Sequence, residues 1–121
     1  NVVELARRDT KEKQPVNISG LSGVIKKLLN EIQEHLFNNA LKYREEHITP
    51  ANSWDEFVKI LNEKGGFVSA HWDGTAETEA EIKEKTKATI RCIPLNNPAE
   101  EGKCILSGKP SKERVLFAIA Y

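Results

Sequence analysis

The sequence is notable first for what it lacks: it has no methionine, only two cysteines and no long apolar run. Two cysteines are too few for a disulfide framework, which predicts free thiols in a reducing compartment. The longest apolar runs fall far short of a membrane span, and no secretory signal is present, so no membrane partner is expected. Basic and acidic residues number 18 each, which argues against the basic face of an independent nucleic-acid binder.

The start of the chain indicates a piece of a longer protein. Methionine is absent even at residue 1, and residues 1–7 already show the weak alternation of a β-strand. Residues 8–19 are polar, contain a proline and are predicted to form a loop. We therefore expect that the chain begins inside or beside a structured element of its parent.

A long helix is the strongest secondary-structure signal. Apolar residues recur at three- and four-residue steps from Leu21 to Tyr43, which predicts one amphipathic helix that ends near His47. Further on, Ser53 and Glu56 have the spacing of a capping box at the start of a second, shorter helix.

The remaining segments mix strands with one more helix. We predict a strand at Phe67–Trp72, a helix over residues 76–87, and strands at Ala88–Leu95, Lys103–Leu106 and Val115–Tyr121. This order predicts an α+β fold in which a long N-terminal helix is followed by a small two-layer domain with a mixed sheet.

The residues give little sign of catalysis. There is no G-x-S-x-G nucleophile elbow, and the glycines do not form a phosphate-binding loop. If the strands that flank residues 96–102 form a hairpin, Cys92 and Cys104 face each other, although we expect free thiols.

One C-terminal stretch, GKCILSGKP at residues 102–110, looks like half of a zinc knuckle. A structural zinc ion needs four ligands, mostly Cys thiolates or His nitrogens, and Ser107 stands where a second cysteine would. One interpretation is a three-ligand metal site of His71, Asp73 and Cys104. The other is a solvent-exposed His71 on a strand, with Cys104 as a small buried apolar residue.

Several segments together resemble the C-terminal region of prolyl-tRNA synthetase in its archaeal/eukaryotic-type form, which some bacteria also carry. The similar segments run in order through almost the whole chain: VVELARRDT, LLNEIQEHLFNNAL, TPANSWDEFVKIL, ATIRCIP, GKCILSGKP and VLFAIAY. The resemblance implies that residues 1–16 are the last strand and exit loop of an anticodon-binding domain. It also implies that residues 17–121 form the C-terminal domain, with a fold like that of the C-terminal domain of translation initiation factor 3.

The resemblance also suggests an explanation for the stretch GKCILSGKP, which looks like half of a zinc knuckle. Many members of the family carry W-C-G-x-x-x-C-E and G-K-C-x-x-C-G-K segments, which together hold one zinc ion. In this sequence Cys104 is retained, whereas Asp73, Thr78 and Ser107 occupy the other three thiol positions. We therefore expect a degenerate zinc frame that keeps its fold and has lost its metal.

The function implied by the resemblance is that of a non-catalytic, architectural part of a cytoplasmic class II proline–tRNA ligase. The parent would use ATP and Mg²⁺ to attach proline to tRNA(Pro), and would be a homodimer. Within the parent, this part would contact the catalytic and anticodon-binding domains. Tyr121 would support the active site through its terminal carboxylate, and Arg7 and Arg8 would lie near the tRNA. A stand-alone interaction module is the alternative to this function.

Overall fold

The structure, a computed structural model, describes residues 1–120. Tyr121, predicted to support an active site, lies outside the described residues. The chain divides into two compact units, which we call the N-terminal unit (residues 1–45) and the C-terminal unit (residues 46–121). Among residues 1–120, no helix is both long and apolar enough to cross a membrane.

The N-terminal unit is a β-hairpin followed by a long helix. Strand β1 (Val2–Ala6) pairs antiparallel with β2 (Lys13–Asn17), and helix α1 spans Leu21–Glu46. The first strand and the long helix were predicted, but for Lys13–Asn17, which form β2, the predicted loop over residues 8–19 was wrong. Its polar composition and Pro15 concealed β2, because an edge strand tolerates a residue that lacks a backbone donor.

The C-terminal unit is built on a four-stranded mixed sheet in the order β3-β4-β8-β5. Strands β3 and β4 are parallel, and the other neighbours are antiparallel. Along the chain its elements are β3 (Ile48–Pro50), α2 (Trp54–Glu63), β4 (Phe67–His71), α3 (Ala76–Thr86), β5 (Ala88–Cys92), β6 (Gly102–Lys103), β7 (Pro110–Ser111) and β8 (Arg114–Ile119). The predicted α+β class with a mixed sheet is confirmed.

Strand β3 was not predicted, because three residues that include a proline carry little strand signal. It forms by parallel pairing with β4, and just before the two strands the backbone at Gly66, which has a φ of +75°, lies close to that of His47. A Cβ atom on Gly66 would lie 2.8 Å from the carbonyl oxygen of His47, so only glycine fits without a shift.

The strand predicted at Lys103–Leu106 is wrong in its extent. Gly102–Lys103 pairs with Pro110–Ser111 in a separate two-stranded sheet, and a turn follows Lys103. Strand β5 pairs with β8 instead of with this segment, so the hairpin that would place Cys92 opposite Cys104 does not form. Both cysteines are free thiols: Cys92 is exposed and Cys104 is buried.

At the start of α2, one of the two hydrogen bonds of the predicted capping box forms. The Ser53 hydroxyl accepts a hydrogen bond from the Glu56 backbone N–H at 3.3 Å. The Glu56 carboxylate accepts from the backbone N–H of Asn52 at 2.9 Å, whereas in a capping box it would accept from the N–H of Ser53. The first bond satisfies a backbone donor that the first helical turn cannot pair internally, and the second satisfies the N–H of the residue before the N-cap.

The core of the C-terminal unit lies between its helices and its main sheet. Phe57 of α2 meets Phe117 of β8 edge-to-face, with ring centroids 5.1 Å apart, and Trp54 stacks on Phe57. The core residues around this contact are Ala51, Leu61, Val68, Ala70, Ile82, Ala88, Ile105 and Val115. Because both helices supply side chains to it, the unit has the two layers that the sequence predicts.

Phe57→Ala tests this core. We expect the free energy of unfolding to fall by about 3–5 kcal/mol, because the substitution removes a fully buried ring and leaves a cavity beside Phe117. Denaturant unfolding followed by circular dichroism would measure the change. Leu95→Ala, at a fully exposed position, should change the stability by less than about 0.5 kcal/mol. Similar losses in both variants would show that this core does not dominate the stability.

Candidate functional site

The Asp73 carboxylate is the centre of a hydrogen-bonded group, which we call the Asp73 cluster (Asp73, Thr75, Thr78 and Ser107). Its Oδ1 accepts from the Thr75 backbone N–H at 3.1 Å and from the Thr75 hydroxyl at 2.8 Å. Its Oδ2 accepts from the Thr78 hydroxyl at 2.8 Å and the Ser107 hydroxyl at 2.6 Å. Four donors therefore converge on one carboxylate.

Local structure places each member of the Asp73 cluster. Asp73 follows strand β4. Thr75 is the N-cap residue of α3, and its hydroxyl accepts a hydrogen bond from the Thr78 backbone N–H at 3.4 Å. Ser107 belongs to a turn in which the Gly108 N–H donates to the Cys104 carbonyl at 3.0 Å. Asp73 is therefore not the cap of α3 itself, and it accepts hydrogen bonds from the cap residue Thr75.

The hydrogen bonds hold Asp73 in its charged form. Partial burial by itself would raise the pKa of Asp73, but the hydroxyls of Ser107, Thr78 and Thr75 outweigh it and lower the pKa well below its usual range. The carboxylate is therefore an anion at neutral pH, and hydrogen bonds from three hydroxyls and one backbone N–H stabilise its charge.

The Asp73 cluster includes three of the four positions of the predicted zinc frame. The fourth, Cys104, is 4% exposed and lies in the same turn as Ser107. This donor set does not fit a structural zinc ion, because it offers one thiol, and its hydroxyls already donate to the carboxylate. The degenerate frame and the loss of zinc stay predictions, since side-chain chemistry does not measure metal content.

The alternative metal site of His71, Asp73 and Cys104 is not assembled. Among the described residues, no group of three or more His, Cys, Asp and Glu side chains is arranged to hold a metal ion. The interpretation of His71 as solvent-exposed is also wrong, since the residue is only 6% exposed. Its ring takes part in a different group, which we call the Arg114 cluster (His71, Glu100, Ser111 and Arg114).

One ring nitrogen of His71, Nδ1, is hydrogen-bonded to Ser111. The Ser111 hydroxyl donates to the Glu113 carbonyl at 2.9 Å, so its oxygen accepts from His71 Nδ1, also at 2.9 Å. The other ring nitrogen, Nε2, lies 3.6 Å from the Glu100 carboxylate. A Cβ atom at Gly102 would overlap the imidazole ring, so a glycine is required there.

Arg114 joins the loop before β6 to the main sheet, a role that the sequence did not reveal. Its guanidinium donates to the Glu100 carboxylate at 2.9 and 3.2 Å and to the carbonyls of Ala51 and Ser69, both at 3.2 Å. The Arg114 hydrogen bond lowers the pKa of Glu100. The sequence signal available for this role was one arginine at the start of an otherwise apolar strand.

In the N-terminal unit, Arg7 is paired with carboxylates of its own chain. Its guanidinium donates to Asp9 at 2.8 and 3.1 Å and to Glu31 of α1 at 3.3 Å, and His35 Nδ1 lies 2.7 Å from Asp9. The Arg7 hydrogen bond lowers the pKa of Asp9 well below its usual range. Arg8 is exposed. Whether either arginine lies near tRNA stays a prediction.

Comparison with known proteins identifies the family. The family model described as "Prolyl-tRNA synthetase, C-terminal" matches residues 54–121, which run from the start of α2 to the last residue. This chain belongs to the prolyl-tRNA synthetase C-terminal family. The resemblance predicted from the sequence is thereby confirmed, and both the Asp73 cluster and the Arg114 cluster lie within the matched segment.

Individual relatives of this prolyl-tRNA synthetase segment are bacterial proteins named Proline–tRNA ligase. The chain is 59% identical over 119 residues to the protein of Christiangramia forsetii, covering 98% of this chain and 24% of that relative. Identity is 53% over 121 residues with the Porphyromonas gingivalis protein and 57% over 119 residues with the Cytophaga hutchinsonii protein, again with 24% of each relative covered. The chain therefore spans about a quarter of the length of these relatives.

Asp73→Asn tests the structural role of the carboxylate. We expect a loss of about 1–3 kcal/mol in the free energy of unfolding at pH 7, because an amide nitrogen cannot accept the hydroxyl hydrogen bonds. Denaturant unfolding would measure the loss, with Glu84→Gln, an exposed change on α3, as the control.

The pH dependence sharpens this test. Since the folded pKa of Asp73 is lowered, its contribution is complete above the ordinary aspartate pKa of about 3.9 and declines as the pH falls towards the folded value. The stability gap between Asp73→Asn and the unmodified chain should therefore narrow in acid. A gap that is equal at pH 7 and pH 3, or no gap at all, would contradict the role of the charged carboxylate.

Proposed function

We propose that this chain is the C-terminal part of a proline–tRNA ligase and that its role there is architectural. The observation that supports this proposal is the family match over residues 54–121, together with relatives of the same name that align along almost the whole chain. The parent would first join the proline carboxylate to the α-phosphate of ATP with release of pyrophosphate. The 3′-terminal hydroxyl of tRNA(Pro) would then displace AMP.

The polar groups of the described residues support an architectural role over a catalytic one. The Asp73 carboxylate accepts four hydrogen bonds from its own chain. The Arg114 guanidinium donates to five acceptor oxygens, of which the fifth is Oδ1 of Asn52. Groups satisfied in this way have little capacity left for a substrate, whereas they join distant segments of the fold. ATP and Mg²⁺ would belong to the catalytic domain of the parent.

Further parts of the proposal follow from the family. Residues 1–16 would complete the anticodon-binding domain, with Arg7 and Arg8 near tRNA(Pro). Residues 17–121 would form the C-terminal domain, with a fold like that of the C-terminal domain of translation initiation factor 3. The parent would be a cytoplasmic homodimer, and Tyr121 would contact the catalytic domain.

Deletion of Ala120-Tyr121 from the full-length parent tests the contact with the active site. We expect kcat/KM for tRNA prolylation to fall between about 10- and 100-fold, because a small misplacement of reacting groups caused far from the chemistry is enough. Aminoacylation with radiolabelled proline would measure the change. Leu95→Ala in the same parent is the matched control. Kinetics equal to those of the intact parent would remove the case for Tyr121, and failure of the intact parent to charge tRNA with proline would refute the proposed activity.

Metal analysis of the purified chain tests the degenerate frame. We expect far less than one zinc ion per chain and the same thermal midpoint with and without a strong chelator, because a structural zinc ion would contribute folding energy that a chelator removes. Elemental analysis and thermal unfolding would supply the two measurements. Stoichiometric zinc with a lower midpoint in chelator would mean that unusual ligands hold the metal, and Cys104→Ser should then abolish its binding.

A further inference from the structure

The turn between β4 and α3 contains the one Asp-Gly pair of the sequence. Asp73 precedes Gly74, and no other aspartate or asparagine in the chain is followed by glycine. An aspartate before glycine is prone to rearrange, because the backbone nitrogen of the next residue can reach the side-chain carboxyl carbon and glycine has no side chain to obstruct the approach. This pair is therefore the position at which the chain is chemically weakest.

The rearrangement needs only water and balances without a cofactor. The Gly74 nitrogen forms a bond with Cγ of Asp73, and one Cγ–O bond breaks. The displaced oxygen leaves as water with the amide proton and a proton from solvent, and the product is a cyclic succinimide. Water then opens the ring at either carbonyl group, which returns aspartate or gives isoaspartate, in which the main chain runs through Cγ.

The attacking nitrogen is accessible in this structure. Gly74 is exposed and has a φ of +81°, and no heavy atom outside its two chain neighbours lies within 4 Å of the position that a Cβ would occupy. Among the hydrogen bonds of the turns and loops of residues 1–120, none engages the Gly74 N–H. Solvent base can therefore remove the amide proton, which makes the nitrogen nucleophilic.

The carboxyl group, in contrast, is held on both of its oxygens. Oδ1 accepts from the N–H and the hydroxyl of Thr75, and Oδ2 accepts from the hydroxyls of Thr78 and Ser107. The reaction converts the planar carboxylate into a tetrahedral centre and then expels one oxygen, so the donors on that oxygen lose their acceptor. The four hydrogen bonds stabilise the reactant and not the ring, and they oppose the rearrangement.

We propose that Asp73-Gly74 is a site of isoaspartate formation, and that the hydrogen bonds of the Asp73 cluster keep this site unreacted in the folded chain. The inference is independent of the function proposed above, because it uses only the turn and its donors. Isoaspartate at residue 73 lengthens the main chain between β4 and α3 and withdraws the carboxylate from Ser107. The Asp73 cluster then has a chemical role beside its structural one.

Removal of one donor tests the protection. Ser107 is exposed, so Ser107→Ala is compatible with folding, and it leaves Oδ2 with the Thr78 hydroxyl alone. The full chain and the variant would be incubated at neutral pH well below the thermal midpoint, and mass spectrometry that separates aspartyl from isoaspartyl peptides would follow residue 73. We expect isoaspartate to accumulate about tenfold faster in the variant, because the carboxylate is released more often. Equal rates would overturn the proposal.

Two further variants separate local release from a general loss of stability. Thr78→Val removes the other donor of Oδ2 and should accelerate the reaction as Ser107→Ala does. Ile82→Val is the matched control, since it truncates a fully buried side chain of the same helix and retains all four donors. Circular dichroism would show that each variant is folded. A control that reacts as fast as Ser107→Ala would show that overall stability governs the rate, and the proposal would be wrong.

A peptide of residues 70–77 supplies the reactive pair without most of its donors. It contains Asp73, Gly74 and Thr75 but lacks Thr78 and Ser107. We expect isoaspartate to form at least about tenfold faster in the peptide than in the folded chain, where the reaction requires local opening. The same rate in both would show that the Asp73 cluster gives no protection. A peptide that forms no isoaspartate would refute the assignment of the reactive site itself.

Discussion

The edge-to-face contact between Phe57 and Phe117 is the interaction on which the C-terminal unit depends. It joins the helix layer to the sheet at residues with no solvent exposure, and the aliphatic core is arranged around it. Burial of apolar surface is a non-directional source of stability that needs no metal ion. A unit that closes in this way does not need a metal ion to hold its core, provided that its turns are held by other means.

The Asp73 cluster provides those other means. Its carboxylate joins the first turn of α3 to the turn at Ser107, two segments that are 34 residues apart in the chain. A zinc ion would make a similar connection through four charged or strongly donating ligands. Here a carboxylate anion that accepts hydrogen bonds from hydroxyl groups makes the connection. The charge at its centre is therefore negative, whereas that of a zinc ion would be positive. Three positions of the predicted zinc frame thus connect two turns through hydrogen bonds alone.

Prediction from sequence succeeded for local features of the fold and failed for features that depend on distant residues. The helices α1, α2 and α3 were predicted because helical periodicity and capping residues act within a few residues of each other. Strands β2 and β3 were missed because each is short, contains a proline and is stabilised by its partner strand. The burial of His71 and the contacts of Arg114 were also missed, since their partners are as many as 63 residues away.

The sequence by itself determined the helices, the α+β class and the family. These properties depend on residue identity and local spacing, which are present in the chain before it folds. Only the tertiary structure decided that Asp73, Thr78 and Ser107 bond to one another, that His71 lies beneath Gly102, and that Cys92 and Cys104 stay apart. Strand pairing sets these distances, and it depends on which hydrophobic faces pack together across the whole chain.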